Sequence, residues 1–284
     1  MHNSKEKKIL ILGATGLVGS NLYNFLKEQK LQVYGTYFKN KKKNHFKFDV
    51  FKDKLDKLKI INEITHIIFA FAINKKLDDV ERNFKIENKF NYKKTIALLS
   101  ECNKKKIKVL YISSDAVFDG RKGNYFENSK TNPINKYGKI KVRVEKHIQD
   151  NLHSFLILRV SKFLSLKKKD NSLIFQIINS VKKNKKSSFA FDEIFSPIFV
   201  EDFCNGVFSL IQNNKKGIFH LNSINKISRY NLAKKISSYL KISNRIKKCK
   251  INSLNLIAKR GLNMNLNSRK YDSMFKIKKK SLEK

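Results

Sequence analysis

Over the first 160 residues, short runs of consecutive apolar residues alternate with longer stretches in which apolar side chains recur every three or four positions. The short runs have strand length and the longer ones helical period, which predicts strands over 8–12, 32–37, 46–49, 66–71, 108–113 and 155–159. Helices are predicted over 17–29, 52–60, 78–103 and 135–150; Leu22, Phe25 and Leu26 show the spacing. Strands alternating one by one with helices build βαβ units, and hence a doubly wound parallel sheet of the Rossmann α/β class. Past residue 160 the rhythm loosens, with helices near 171–184, 201–213 and 228–240 and short strands near 188–192 and 217–221. No sharp linker divides the halves and no internal repeat is visible, so the expected organisation is a sheet domain over 1–160 and a smaller lobe over 161–284 that interleaves with it.

Composition narrows the class. A chain of 284 residues, 41% hydrophobic, can bury a full core. Cys102, Cys204 and Cys249 lie far apart, without the close spacing of a zinc site or a disulfide framework, and no metal-ligand cluster is visible. The apolar run at 9–12 is too short for a signal-peptide core, and nothing approaches the roughly 18–20 residues of a membrane span, so a cytoplasmic protein without membrane insertion is expected.

The formal net charge of +39 raises a polyanion-binding class. Against it, lysine is spread through triplets at 41–43, 104–106, 167–169 and 278–280, and arginine, the better bidentate phosphate ligand, is scarce. The charge therefore implies a general attraction for phosphorylated ligands, not a specific nucleic-acid site.

Two motifs carry chemistry. Directly after the first strand comes Gly13-Ala14-Thr15-Gly16-Leu17-Val18-Gly19, a glycine-spaced turn that opens a helix. Such a turn lets the backbone approach a pyrophosphate, whose charge is favoured by the free N–H groups of the helix start. Where NAD-binding folds carry a ribose-binding carboxylate, the end of the second strand reads Gly35-Thr36-Tyr37-Phe38-Lys39. Thr36 and Lys39 are candidates for a 2′-phosphate, which favours NADP(H) over NAD(H). Asp49 and Val50 at the end of the third strand, and Ala70, Phe71 and Ala72 at the end of the fourth, complete the expected cofactor edge.

The second motif runs from YISSDAVFDG at 111–120 to PINKYGKIK at 133–141. Tyr137 and Lys141 stand four apart and share a helix face, behind serines at the carboxyl end of a strand. Hydride reduction of a ketone builds negative charge on oxygen, so the site needs a proton donor and a hydrogen-bonding group at that atom. Tyr137 is the candidate acid, Lys141 the cation expected to lower its pKa and hold a ribose, and Ser114 the group that orients the carbonyl.

Taken together, the glycine turn, SSDAVFDG and YGKIK resemble the extended short-chain dehydrogenases, and most of all the dTDP-4-dehydrorhamnose reductase group of nucleotide-sugar reductases. The resemblance implies Ser114, Tyr137 and Lys141 as the catalytic set, Asn88 beside the cofactor, and Ser113, Asp115, Ala116, Arg159, Ser196 and Arg260 as substrate contacts. It implies an NADPH-dependent reductase of a 4-keto group on a nucleotide-activated deoxysugar, serving cell-surface polysaccharide synthesis, with a homodimer as an option. Ala116 stands where the group has tyrosine, and the late Arg-Pro-x-x-Ser-x-Leu pattern survives only as Arg260 to Leu266. Three alternatives stay open: an epimerase or dehydratase on the same scaffold, an anion-surface binder, and a non-catalytic NADP-binding regulatory subunit, since the regulatory partner of methionine adenosyltransferase resembles the same group.

Overall fold

Leu10 and Leu12 bury into one hydrophobic cluster while Ile9 and Ile11, between them, bury into another. This alternation along a continuous apolar strand is what a parallel sheet covered on both faces requires. In the computed structural model, which describes residues 6–71, 77–167, 172–183, 186–242, 245–277 and 279–282, that strand is the centre of a seven-stranded sheet.

In chain order the strands are β1 (Lys8–Leu12), β2 (Gln32–Tyr37), β3 (His45–Lys47), β4 (His66–Phe69), β5 (Lys108–Ser114), β6 (Phe155–Val160), β7 (Phe163–Leu164), β8 (Ser187–Ala190), β9 (Ile194–Phe195), β10 (Ile198–Phe199), β11 (Gly217–Leu221), β12 (Ile227–Ser228) and β13 (Ile246–Cys249). The helices are α1 (Leu17–Glu28), α2 (Leu77–Arg82), α3 (Phe84–Glu87), α4 (Thr95–Lys104), α5 (Lys136–Asn151), α6 (Leu173–Lys183), α7 (Val200–Gln212), α8 (Arg229–Tyr239) and α9 (Arg269–Phe275). The main sheet runs β11-β6-β5-β4-β1-β2-β3 with every pair parallel. Strand order reverses between β1 and β4, and ligands of open α/β sheets bind outside the carboxyl ends at such a point.

The two faces follow from helix sequence. Leu22 and Leu26 of α1 pack with Phe203, Val207 and Leu210 of α7 against Ile9 and Ile11. On the other side Leu98, Leu99 and Cys102 of α4 and Val144 and Ile148 of α5 pack against Leu10 and Leu12. A third cluster gathers α6, α8, β8 and the short strands around Phe195 and Phe199. The later half also returns β11 to the edge of the main sheet, beside β6.

Two predicted helices take other forms. Over 52–60 there is a 3₁₀ turn, Leu55–Lys57, followed by a second at Ile61–Glu63. The buried residues here, Leu55, Leu58, Ile61 and Ile64, recur every three positions, the period of a 3₁₀ helix, which lines them up on one side. The long helix expected over 78–103 is broken into α2, α3, a π-helical turn at Asn88–Lys94, and α4. Single π turns of this kind recur at functional sites.

Candidate active site

The glycine turn is built by contacts that side chains would prevent. Gly13 has φ +88°, and a Cβ there would stand 3.0 Å from the backbone of Phe71 on the neighbouring strand end. A Cβ on Gly19 would lie 2.2 Å from the Gly13 carbonyl oxygen, so that glycine seats α1 against the turn. Gly16 forms the N-cap of α1 without a capping side chain, and the first turn holds no acidic residue. A start of this kind, 12 residues of helix with uncapped N–H groups and no competing carboxylate, is suited to a pyrophosphate. Thr15 is half-buried beside it, while Leu17 and Val18 pack against the core.

Thr36 does not face a ligand. It is 1% exposed, accepts a hydrogen bond from the Gly13 N–H at 3.0 Å and donates to the Ile11 carbonyl. Its work is to tie β2 to the glycine turn, which corrects its assignment to a 2′-phosphate. Lys39 is exposed just past β2, its Nζ 5.9 Å from the Phe38 ring. Asp49 turns inward on its own loop and accepts from the Phe51 N–H at 2.9 Å. Val50 and Phe71 are half-buried against one cluster and Ala70 against the other; Ala72 lies outside the described residues. Asn88 opens the π turn, its side-chain oxygen accepting from Arg143 Nη1 at 2.8 Å.

The reactive group of side chains sits beside this edge. Helix α5 begins at Asn135, whose side-chain oxygen accepts from the Gly138 N–H at 2.9 Å. A Cβ on Gly138 would stand 2.0 Å from the Ala116 carbonyl oxygen, so only glycine lets the first turn of α5 lie on the loop after β5. That approach sets Tyr137, in the first turn of α5, against the loop that Ser114 opens. Lys141, one turn on, donates to the Ile112 carbonyl at 2.9 Å and lies over the rings of Tyr111, at 4.5 Å, and Tyr137, at 5.7 Å.

Electrostatics depart from expectation. Burial, joined by the negative charge of Asp115, pushes the Tyr137 phenol up to about 12. Burial brings Lys141 down to about 8, with Glu145 resisting. The lysine ammonium is aimed at the Ile112 carbonyl, not at the phenol oxygen, so the expected lowering of Tyr137 by Lys141 is not what this geometry produces. Tyr137 is protonated across the neutral range and is a weaker acid than a free tyrosine.

Several expected substrate contacts are instead structural. Arg159 is 3% exposed and grips Glu145 through Nε and Nη2, the latter at 2.7 Å. Ser113 donates to the same carboxylate. Ser196 is buried and donates to Asn265. Arg260 pairs with Asp78 at the start of α2 at 2.8 Å, fastening the C-terminal segment there with the Ala258 N–H. Asp115 accepts from two serines, Ser114 and Ser161, and is buried. Ala116 is 7% exposed and meets α5 through its carbonyl.

Sequence reasoning missed Glu145 and Ser161. Glu145 had a signal, since it continues the Tyr137 and Lys141 face of α5 by four residues. Ser161 stands in the Leu158-Arg159-Val160-Ser161 stretch that resembles the reductase group, but only the fold shows its bond to Asp115. Among the described residues no cluster could hold a metal ion, and no helix is long and apolar enough to cross a membrane.

Residues 7–284 match the family model described as the RmlD substrate binding domain. The chain belongs to this family. Its fold is that of the RmlD-type reductases: a crystal structure of a hypothetical dTDP-4-dehydrorhamnose reductase from Sulfolobus tokodaii is 27% identical, with a TM-score of 0.84 over 97% of each chain. The dTDP-4-dehydrorhamnose reductase of Bacillus anthracis in complex with NADP is 22% identical, with a TM-score of 0.83 over 97% of this chain and 95% of that one, a likeness of fold. Among curated relatives, methionine adenosyltransferase 2 subunit beta of Xenopus tropicalis is 26% identical over 80% of this chain and 70% of its own length. The Haloferax volcanii protein named "Probable low-salt glycan biosynthesis reductase Agl14" is 28% identical over 53% of this chain and 52% of its own.

Proposed function

We propose that this member of the RmlD family is a reductase that uses a nicotinamide dinucleotide, NADPH in preference to NADH, to reduce a 4-keto group on a nucleotide-activated deoxysugar. The observation that carries the reading is that Gly138 seats the first turn of α5, with Tyr137, on the loop that follows Ser114, with Lys141 Nζ 5.7 Å from the Tyr137 ring, beside a glycine turn shaped for a pyrophosphate. The names of the related reductases support the same reading, and related folds are recorded with NADP or with NAD. The preference for NADPH rests on Lys39 and on the lack of a carboxylate at the end of β2.

When bound, the reduced dinucleotide supplies a hydride. This chain's residues do the rest. Gly13, Gly16 and Gly19 open the backbone to the pyrophosphate, and the N-terminus of α1 favours its charge. Tyr137, kept neutral by burial and by Asp115, gives its proton to the carbonyl oxygen as charge builds there. Ser114, held at the end of β5 by Asp115, is the group that orients the carbonyl. Lys141 holds positive charge next to the reacting groups.

The test is a screen of purified protein with NADPH and a panel of nucleotide-linked 4-keto sugars, followed at 340 nm. Net NADPH loss with one of them is expected, and it also separates a reductase from an epimerase or dehydratase, which would return the cofactor unchanged. No loss with any member of the panel rejects the reading.

A second reading, a subunit that partners a synthetase, is favoured by the curated relatives named methionine adenosyltransferase 2 subunit beta. Stable co-elution with a methionine adenosyltransferase, with no turnover of any ketone, is the result that would prefer it.

A further inference from the structure

The side chain that caps α5 has a second partner far along the chain. Asn135 is 6% exposed; its Oδ1 accepts from the Gly138 N–H at 2.9 Å, and its Nδ2 donates to the Lys259 carbonyl at 3.1 Å. An amide side chain carries an acceptor on one side and donors on the other, so only this orientation satisfies both partners. The first bond is a helix cap of the kind that serine or aspartate supplies equally well. The second is not needed to start a helix, and it calls for the amide nitrogen.

Further bonds close a ring through the same segments. The Ala258 N–H and Arg260 Nη2 both donate to Asp78 Oδ1 on α2, at 3.1 and 2.8 Å. Glu81, three residues later on α2, accepts from the Lys136 N–H through Oε2 at 3.0 Å, and its carbonyl accepts from Lys136 Nζ at 2.8 Å. Lys136 and Gly138 are the chain neighbours of Tyr137. The backbone on either side of the phenol-bearing residue is therefore held by Glu81 and Asn135, and both of these are tied in turn to the segment over 258–260. That segment runs on against the loop after β5: a Cβ on Gly261 would stand 2.7 Å from Gly120 Cα, and the Asn263 N–H donates to the Gly120 carbonyl at 2.8 Å.

We propose that Asn135 is a positioning residue for Tyr137, whose amide nitrogen makes the placement of the phenol depend on the docked C-terminal segment Ala258–Arg260. The inference rests on the reductase reading. Asn135 itself touches no reacting atom; it acts through the first turn of α5, which carries the phenol with it when it shifts. The closeness of that turn to the loop after β5 leaves little slack, because Gly138 already meets the Ala116 carbonyl there. A proton donor displaced by a fraction of an ångström from its acceptor loses rate without losing the cofactor, which the glycine turn after β1 holds independently.

The test separates the cap from the tie. Asn135→Ser keeps a capping oxygen, adds no charge and lacks the nitrogen that reaches Lys259. In full-length protein its urea midpoint and NADPH affinity should match the wild type, while kcat for the 4-keto sugar falls about fivefold, the worth of one hydrogen bond. Hydrogen–deuterium exchange of the peptide over 254–267, read by mass spectrometry, should quicken in the same variant. Asn135→Ala, which loses cap and tie together, should show the same two effects and also a lower urea midpoint. A residue that only caps the helix gives a different pattern: Asn135→Ser would keep wild-type kcat and wild-type exchange, and either result overturns the proposal. If Asn135→Ser fails to fold, Asn135→Asp takes its place with the same expectations, since it keeps the size and the capping oxygen and turns an oxygen towards the Lys259 carbonyl. A wild-type protein that reduces no ketone rejects the reductase reading, whereas the exchange of 254–267 decides the tie whether or not the protein turns over.

Discussion

Glu145 and Arg159 form a two-pronged ion pair between helix α5 and strand β6, with side chains only 2% and 3% exposed and a closest approach of 2.7 Å. Ser113 adds a further hydrogen bond to the same carboxylate, and Arg159 also donates to the Glu127 carbonyl at 3.1 Å. One turn of helix separates Glu145 from Lys141, so the pair fixes the face of α5 that presents Tyr137 and Lys141 to the sheet edge.

Breaking this pair on one side leaves a buried charge without its partner, a loss of about 3–5 kcal/mol. Glu145→Ala and Arg159→Ala should each lower the urea midpoint by that equivalent. The double variant Glu145→Leu with Arg159→Met, which buries no charge, should recover much of the loss. Single variants within about 1 kcal/mol of the wild type would show that the pair is not what holds α5 in place.

The glycine contacts give a sharper local prediction. On Gly138, a Cβ would stand 2.0 Å from a backbone oxygen, which no rotamer change can relieve. Gly138→Ala should cost about 1–3 kcal/mol and push the first turn of α5, with Tyr137, off the loop after β5, so that turnover falls further than cofactor affinity. Gly19→Ala, with 2.2 Å to the Gly13 oxygen, should do the reverse and weaken cofactor binding first. Calorimetric binding of NADPH beside steady-state kinetics separates the two.

How far the sequence could be read depended on the range of the interactions involved. Strands β1, β2 and β11 were legible to the residue because each is a bounded apolar run. The pairs β7 with β10 and β9 with β12 were not, since strands of two residues have no period to detect. The same holds for the site. Gly13, Ser114, Tyr137 and Lys141 stand in local motifs, whereas the partners of Arg159, Ser196 and Arg260 lie 14, 69 and 182 positions away. A polar residue in a plausible place could not be told from a ligand contact until the fold showed which partner already held it. Thr36 is the clearest case, because its proximity to the cofactor edge was correct while its direction was inward.

The acid–base groups predict a pH profile. Lys141, brought down to about 8 by burial, is charged below that value and loses its charge above it. Tyr137, up at about 12, stays protonated across the same range. Reductase turnover should therefore be highest below about pH 8 and fall roughly tenfold per unit beyond it if the ammonium is required. Lys141→Arg, which keeps a charge through the titration, should flatten the fall even where its absolute rate is lower. A profile level from pH 6 to 10 in the wild type would remove Lys141 from the charge-stabilising role.

Cofactor preference can be put to a single exposed side chain. With Thr36 turned inward and no carboxylate at the end of β2, Lys39 is the cation in that short segment available to a 2′-phosphate. Two unit charges about 4 Å apart in water interact by about 1 kcal/mol, so reversing one changes attraction into repulsion by about twice that. Lys39→Glu should therefore cut the NADPH-over-NADH ratio of kcat/KM by about thirtyfold at low ionic strength. The effect should shrink as salt is raised through 0.15 M, because an exposed pair is screened within about 8 Å there. If the ratio holds in Lys39→Glu at every salt concentration, the 2′-phosphate is read elsewhere on the sheet edge and the assignment of Lys39 fails.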